Sequence, residues 1–269
     1  MLITIDIGNT NTKIAAWEGA TMVAHWRLET HRQRLTDEYA VLVRSLFELR
    51  GISIEQIEGC AISCVVPPLT GVFSELSRTY LNVEPVVIGP GIKTGMRLLI
   101  DTPRELGADR VANSVAAFRR FGGPVIAIAF GTAIAFDVIS ADGDYVGGAI
   151  APGLGIAADA LFRTAAKLYQ VELVRPAKVI GKNTSSYMQS GIVLGYAGLV
   201  EGLINRMWHE IGVHGTVVAT GGQAEVIADI IARETRVIDH VDPWLTHEGL
   251  HMIYQLNRGS SAEAIGDRR

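Results

Sequence analysis

The sequence predicts an α/β fold made of two copies of one β-rich unit, each a mixed sheet flanked by helices. Three observations predict it. Strand-like and helix-like segments alternate along the first half. Gly122-Gly123-Pro124 then breaks the chain. Beyond the break a strand–turn–strand pattern restarts, and IAIAFGTAIAFDVISADGDYVGG can be laid on ITIDIGNTNTKIAAWEGATMVAHW. Ile3 falls on Ile126, Ile5 on Ile128 and Gly8 on Gly131, with Thr10 beside Thr132. A unit repeated at the head of each half implies two domains, residues 1–121 and 122–269, with the boundary near Arg119–Pro124.

The elements follow in order. Leu2–Ile7 is apolar and of high β-propensity, Gly8–Thr12 is turn-like, and Lys13–Trp17 and Met22–Leu28 extend again. Thr36 or Asp37 is placed to cap a helix ending at Gly51, with Tyr39, Leu42, Leu46 and Leu49 as its apolar face. Cys60–Val66 is a buried-type strand halted by Pro67-Pro68. A helix, a strand at Pro85–Ile88 and a helix over Ala108–Phe121 complete the first half. The second half predicts helices near Ile156–Leu168 and Ser185–Ile211, a strand Val217–Thr220 and a Gly-Gly turn. A helix Ala224–Arg233, a strand Arg236–Asp239, a last helix from Thr246 and a polar tail Gly259–Arg269 close it. The apolar positions Ile192, Leu194, Leu199, Leu203 and Ile204 read as core, with part of that face available to a second copy.

Composition narrows the function. Of 269 residues 48% are hydrophobic and 19% charged, enough apolar material for a core. The net charge of -4, without long runs of one sign, argues against a nucleic-acid surface. Apolar runs such as Val125–Ala129 are strand-sized, so no membrane span is expected, and MLITIDIGNT is not a signal peptide. Cys60 and Cys64 fall on one face of a short strand and read as reduced core thiols of a cytoplasmic protein.

The first chemical motif is Asp6-Ile7-Gly8-Asn9-Thr10-Asn11-Thr12-Lys13. A carboxylate at a strand end precedes a turn whose N–H groups and hydroxyls can face phosphate oxygens. Asp6 would reach the shell of a Mg²⁺ ion, and Lys13 would supply a point charge. An ordinary hairpin with Asn and Gly turn formers would look the same, so the weight comes from the second copy, Phe130-Gly131-Thr132. Neither a P-loop nor a dinucleotide-binding pattern is present. Gly221-Gly222, after a strand and before a helix, would let a flat ring approach the backbone. Leu106-Gly107-Ala108-Asp109-Arg110 places an acid at a helix start. Capping alone accounts for many such acids. A carboxylate there can also accept the proton of an alcohol during phosphoryl transfer, with Arg110 neutralising charge or holding a substrate carboxylate.

The ordered set DIGNTNTK, GADRVANSVAA, FGTAIAFDV, GGAIAPG, IGKNTSSYMQSG and ATGGQAE resembles the type III pantothenate kinases, and ISCVVPP and LTHEGLHMIYQLN extend the likeness over nearly the whole chain. The resemblance implies an actin-like fold of two ribonuclease H-like domains, the nucleotide held between them, and a homodimer. It implies ATP-dependent phosphorylation of pantothenate to 4′-phosphopantothenate, the first step towards coenzyme A. By resemblance, Asp6 through Lys13 and Thr132 bind ATP, and Gly221 and Gly222 lie on its adenosine side. Asp109 is the proton acceptor. Gly107, Ala108, Asp109, Arg110 and Thr184 contact pantothenate, and Mg²⁺ accompanies ATP through Asp6, by way of water.

One departure matters. The family's second turn begins with an Asp that ligates K⁺ or NH₄⁺, whereas this chain has Ala129. A methyl cannot ligate a hard cation. Ala129 therefore raises an alternative: a catalytically impaired homologue that binds nucleotide or pantothenate in a regulatory role. At Ile100 some relatives carry a substrate-contacting Tyr, and that contact is not carried over. His247-Glu248-Gly249-Leu250-His251 matches a zinc-protease pattern, but without a third ligand it reads as a surface or partly packed histidine pair.

Overall fold

The structure, a computed structural model, describes residues 1–165, 167–222 and 237–258. It divides into two compact units. The first holds Met1–Arg97, Asp101–Ala116 and the chain from Leu245; the second holds Leu98–Ile100 and Ala117–Trp244.

In the first unit β1 (Leu2–Ile7) pairs antiparallel with β2 (Asn11–Glu18), which pairs with β3 (Thr21–Glu29). β4 (Gly59–Cys64) lies parallel to β1 on its other side, followed by β5 (Pro85–Val87), giving the order β3-β2-β1-β4-β5. Helices α1 (Thr36–Glu48), α2 (Pro67–Tyr80) and α3 (Ala108–Phe121) connect them, α3 belonging to this unit through Ala116. In the second unit the strands are β6 (Val125–Phe130), β7 (Ala133–Ile139), β8 (Tyr145–Pro152), β9 (Thr216–Thr220) and β10 (His240–Val241). Their order is β10-β9-β6-β7-β8, with β6 antiparallel to β7 and parallel to β9. Read from β8 inward, this repeats the first sheet strand for strand, the duplication expected from the restarted pattern. Helices α4 (Leu154–Thr164), α5 (Thr184–Gln189) and α6 (Gly195–Ile211) belong to this unit, and α7 (Leu245–Asn257) returns to the first.

Strand alternation sorts the first sheet into two faces. Ile3, Ile5, Ile7, Ile14 and Ile62 pack with Tyr39, Val43, Phe47, Leu69 and Phe73 of α1 and α2. The opposite face, with Ala61 and Val86, packs on Val111, Ala112 and Val115 of α3 and Leu250 and Ile253 of α7. The second sheet buries Ile126, Ile128, Phe130, Ile134 and Phe136 against Ala158, Met188, Ile192, Val200, Ile204 and Trp208.

The structure corrects several expectations. The division at residue 121 gives the closing helix to the second half, but α7 packs on the first sheet. Leu35, not Thr36 or Asp37, is the N-cap of α1, its N–H donating to the Glu38 carboxylate at 2.8 Å. The buried face of α1 is Tyr39, Ala40, Val43 and Phe47, while Leu49, past the last turn, is 81% exposed. Pro67 and Pro68 open α2 rather than merely ending a strand, since a missing N–H costs nothing in a first helical turn. The helix expected over Ser185–Ile211 carries a π-helical segment at Ser190–Leu194 between α5 and α6, and Gly212, in the left-handed region, ends it. Val237–Asp239 is not strand; the pairing begins at His240. The helix expected over 224–233, Arg236 and the tail 259–269 lie outside the described residues.

Candidate active site

The end of β1 and the start of α3 bring three charged residues of the first unit together. Asp6, Lys13 and Ser63 are cross-strand neighbours on β1, β2 and β4, so all three project to the face that α3 covers. Asp109 enters from the first turn of α3. Burial raises the Asp6 carboxyl most, the nearby charge of Asp109 adds to it, and Lys13 and the Ser63 hydroxyl oppose them, leaving it at about 6. Burial also raises Asp109, against the pull of the Arg110 N–H, which donates to its Oδ1 at 2.9 Å, and of the Arg110 charge. Two carboxyls pushed up in one half-buried place form a spot where positive charge is welcome. Gly107 lies against this group: a Cβ there would stand 2.6 Å from Asp109 Oδ1. Ala108 opens α3 beside it.

Between β1 and β2 the first turn is tight. Gly8 N–H donates to the Asn11 carbonyl at 3.0 Å, and the Thr30 N–H donates to the Thr10 carbonyl at 2.9 Å. Asn9 and Thr10 are exposed at its tip, and Asn9 Oδ1 accepts from Arg32 at 2.9 Å. Two of the expected phosphate contacts present no side chain. Ile7 is buried in the apolar layer, and the buried Thr12 hydroxyl pairs with that of Thr30 at 2.9 Å. Only their backbones could serve.

The second unit repeats the turn one residue shorter. Gly131 N–H donates to the Ala133 carbonyl at 3.0 Å, leaving Thr132 exposed at the tip. Gly221 follows β9 with φ +110, and a Cβ there would stand 2.2 Å from the Phe130 carbonyl oxygen. Only glycine fits so close to the second turn. Gly222 is exposed. Thr184 opens α5, after Asn183, whose side chain accepts from the Ser186 N–H at 2.9 Å. The expected site residues thus lie in two groups, Asp6–Lys13 with Gly107–Arg110 in the first unit and Thr132, Thr184, Gly221 and Gly222 in the second.

Ala129 is the structural counterpart of Asp6. Its cross-strand neighbours are Ala135 and Thr220, where Asp6 has Lys13 and Ser63. The Thr220 hydroxyl is buried and makes no hydrogen bond among the described residues. These three side chains offer a single oxygen, where a monovalent cation needs several. Asp6, by contrast, fits a Mg²⁺ shell completed by water and phosphate oxygens.

The histidine motif is not the surface pair expected. His247 is 0% exposed, with Nδ1 2.8 Å from Thr4 Oγ1, whereas His251 Nε2 meets the Gly19 carbonyl oxygen at 2.8 Å and its ring lies by Trp17. The two rings serve separate partners. Sequence reading missed Ser63, Thr220, Thr4 and Arg32. Ser63 stood inside the ISCVVPP segment, yet only the parallel pairing of β4 with β1 places it beside Asp6.

Comparison with known proteins identifies the family. The profile of the type III pantothenate kinase family matches residues 2–206. A type III pantothenate kinase of Roseiflexus sp. (strain RS-1) is 64% identical over 258 residues, covering 96% of this chain and 100% of that protein. Among solved structures, the Acidaminococcus fermentans (R)-2-hydroxyglutaryl-CoA dehydratase component A has a TM-score of 0.55 at 15% identity, covering 97% and 98% of the two chains. The inorganic polyphosphate/ATP-glucomannokinase of Arthrobacter sp. strain KM has a TM-score of 0.50 at 15% identity, covering 96% and 98%.

Proposed function

Since the chain belongs to the type III pantothenate kinase family, it phosphorylates pantothenate with ATP, and we propose that Asp109 receives the proton of the attacking hydroxyl. The product is 4′-phosphopantothenate, and the reaction opens coenzyme A synthesis. The observation that carries the residue assignment is the pairing of Asp109 with Asp6 in one half-buried group on the α3 face of the first sheet.

The chemistry then divides among the residues. The hydroxyl oxygen of pantothenate bonds to the γ-phosphorus, the bond from that phosphorus to the β,γ-bridging oxygen breaks, and ADP leaves. Asp109, its carboxyl raised by burial, orients the hydroxyl and takes its proton. The backbone N–H groups of the first turn, Asn9 and Thr10 hold phosphate oxygens, and Lys13 supplies a fixed positive charge. Thr132 and the second turn are assigned to ATP phosphate, and Gly221 and Gly222 to its adenosine side. Gly107, Ala108 and Arg110 hold pantothenate, Arg110 through the substrate carboxylate, and Thr184 adds a contact. Asp6 would hold Mg²⁺ through water, and that ion when bound neutralises phosphate charge.

We assign no role to K⁺ or NH₄⁺, because the Ala129 methyl replaces the carboxylate that would hold one. The regulatory, catalytically impaired alternative rested on that residue alone, and the relatives carry the name of a kinase. A homodimer is supported by apolar side chains exposed on the second unit, among them Ile150, Val179, Ile180 and Tyr187, with Ile180 84% exposed. A cytoplasmic location is supported by two free thiols, Cys60 and Cys64. No helix among the described residues is long and apolar enough to cross a membrane.

ADP release coupled to a reporter enzyme, with and without pantothenate, tests the reading. Release that depends on pantothenate supports it, and release indifferent to pantothenate overturns it.

A further inference from the structure

The segment between β3 and α1, residues 30–35, runs alongside the first turn and is fastened to it. The Thr30 N–H donates to the Thr10 carbonyl at 2.9 Å, and the Thr30 hydroxyl pairs with that of Thr12 at 2.9 Å. Two residues on, Arg32 Nη2 donates to Asn9 Oδ1 at 2.9 Å. Helix α1 holds the same segment. The His31 N–H donates to the Tyr39 hydroxyl at 3.0 Å, that hydroxyl donates to the His31 carbonyl at 3.2 Å, and the Arg34 guanidinium lies 5.3 Å from the Tyr39 ring centroid. Tyr39 is itself wholly buried. Arg32 thus approaches the turn from a base anchored on both sides.

An asparagine amide has two edges of opposite character: Oδ1 accepts and Nδ2 donates. A guanidinium can only donate, so the edge that meets Arg32 is the oxygen. The contact therefore fixes which way the Asn9 amide is turned, with its NH2 edge directed away from Arg32. Asn9 is exposed at the tip of the turn. Without that contact its amide would turn freely, and half of its orientations would offer an acceptor to an anion.

Resting on the assignment of Asn9 to phosphate, we propose that Arg32 is a positioning residue for ATP: it holds the Asn9 amide with its donor edge toward the nucleotide. Arg32 acts through Asn9. Its charge also attracts an anion to the turn, but salt screens an exposed charge. The orienting effect is the part that persists at high ionic strength.

Kinetics of Arg32→Ala, Arg32→Lys, Asn9→Ala and the Arg32→Ala, Asn9→Ala double variant, in low and high NaCl and with thermal melts, test this. Both side chains are exposed, so every variant should melt with the parent. Arg32→Ala is expected to raise KM for ATP about 5-fold, with kcat changed less than about 2-fold and KM for pantothenate unchanged. Arg32→Lys, which keeps a donor for Oδ1, recovers part of the affinity. On the Asn9→Ala background, Arg32→Ala adds nothing, because the amide it turns is gone. An unchanged KM for ATP in Arg32→Ala, a Lys variant as impaired as the Ala variant, single effects that simply add in the double variant, or a loss that disappears in high salt overturns the proposal. A normal KM for ATP in Asn9→Ala overturns instead the phosphate assignment beneath it.

Discussion

Asp6 and Asp109, from a strand end and a helix start far apart in the chain, share one charged group: burial, and then the Asp109 charge, raise the Asp6 carboxyl to about 6. An active site that must bind a highly anionic nucleotide beside two acids needs cations close by, and Lys13, Arg110 and the expected Mg²⁺ fill that need.

Asp109→Asn is expected to lower kcat by roughly 100-fold or more, the usual weight of a general base. The melting temperature should not fall, because the amide spares the fold a carboxylate that burial disfavours. Coupled assay and thermal melt check both halves, and a variant with full kcat would remove Asp109 from the mechanism.

Asp6 gives a pH signature in stability. Its folded pKa of about 6 lies above the ordinary 3.8, so the folded state favours the neutral carboxyl. That contribution is complete below about 3.8 and is lost as pH rises through 6. Asp6→Asn should therefore melt higher than the parent above pH 6, with the gap closing toward pH 4. Melts across that range, without nucleotide or Mg²⁺, read the difference. A gap that does not change with pH refutes the account.

At the second turn, turnover of the parent should be the same in Na⁺, K⁺ and NH₄⁺ salts. Ala129→Asp supplies a carboxylate beside the Thr220 hydroxyl and should introduce a preference for K⁺ or NH₄⁺. Strong K⁺ activation of the parent would mean that oxygens other than a residue-129 carboxylate hold the ion.

Gly221→Ala forces a Cβ to within 2.2 Å of the Phe130 carbonyl oxygen at φ +110. The strain should cost about 2 kcal/mol or more of stability and raise KM for ATP by shifting the second turn. A chemical-denaturant midpoint and ATP kinetics measure the two effects. A variant as stable as the parent would show that the backbone there yields.

Much of this was legible in the residues themselves. Ile3 and Ile5 recur as Ile126 and Ile128 because both strands face an apolar helix layer, and a repeated demand leaves a repeated pattern. The turn at Gly8 and the acid at the head of α3 were legible because turn chemistry and helix starts are local. What escaped depends on pairing between distant segments. Ser63 and Thr220 reach Asp6 and Ala129 only through parallel strands whose register no local pattern encodes. The amphipathic pattern of α7 shows that it buries one face, not which sheet receives it. His247 looked like a surface residue because an imidazole is polar, and its burial is tolerated through Thr4, unseen from its own helix.

The return of α7 to the first unit bears on how the protein emerges from the ribosome. Its leading half is synthesised first, yet Leu250 and Ile253, which cover the α3 side of its sheet, arrive only after the whole second unit has been made. Until then that face has α3 alone upon it, with Ala61 and Val111 short of the packing partners that α7 supplies. The trailing half, contiguous in the chain apart from Leu98–Ile100, can close its own core beforehand. The half that begins translation is therefore the last to mature.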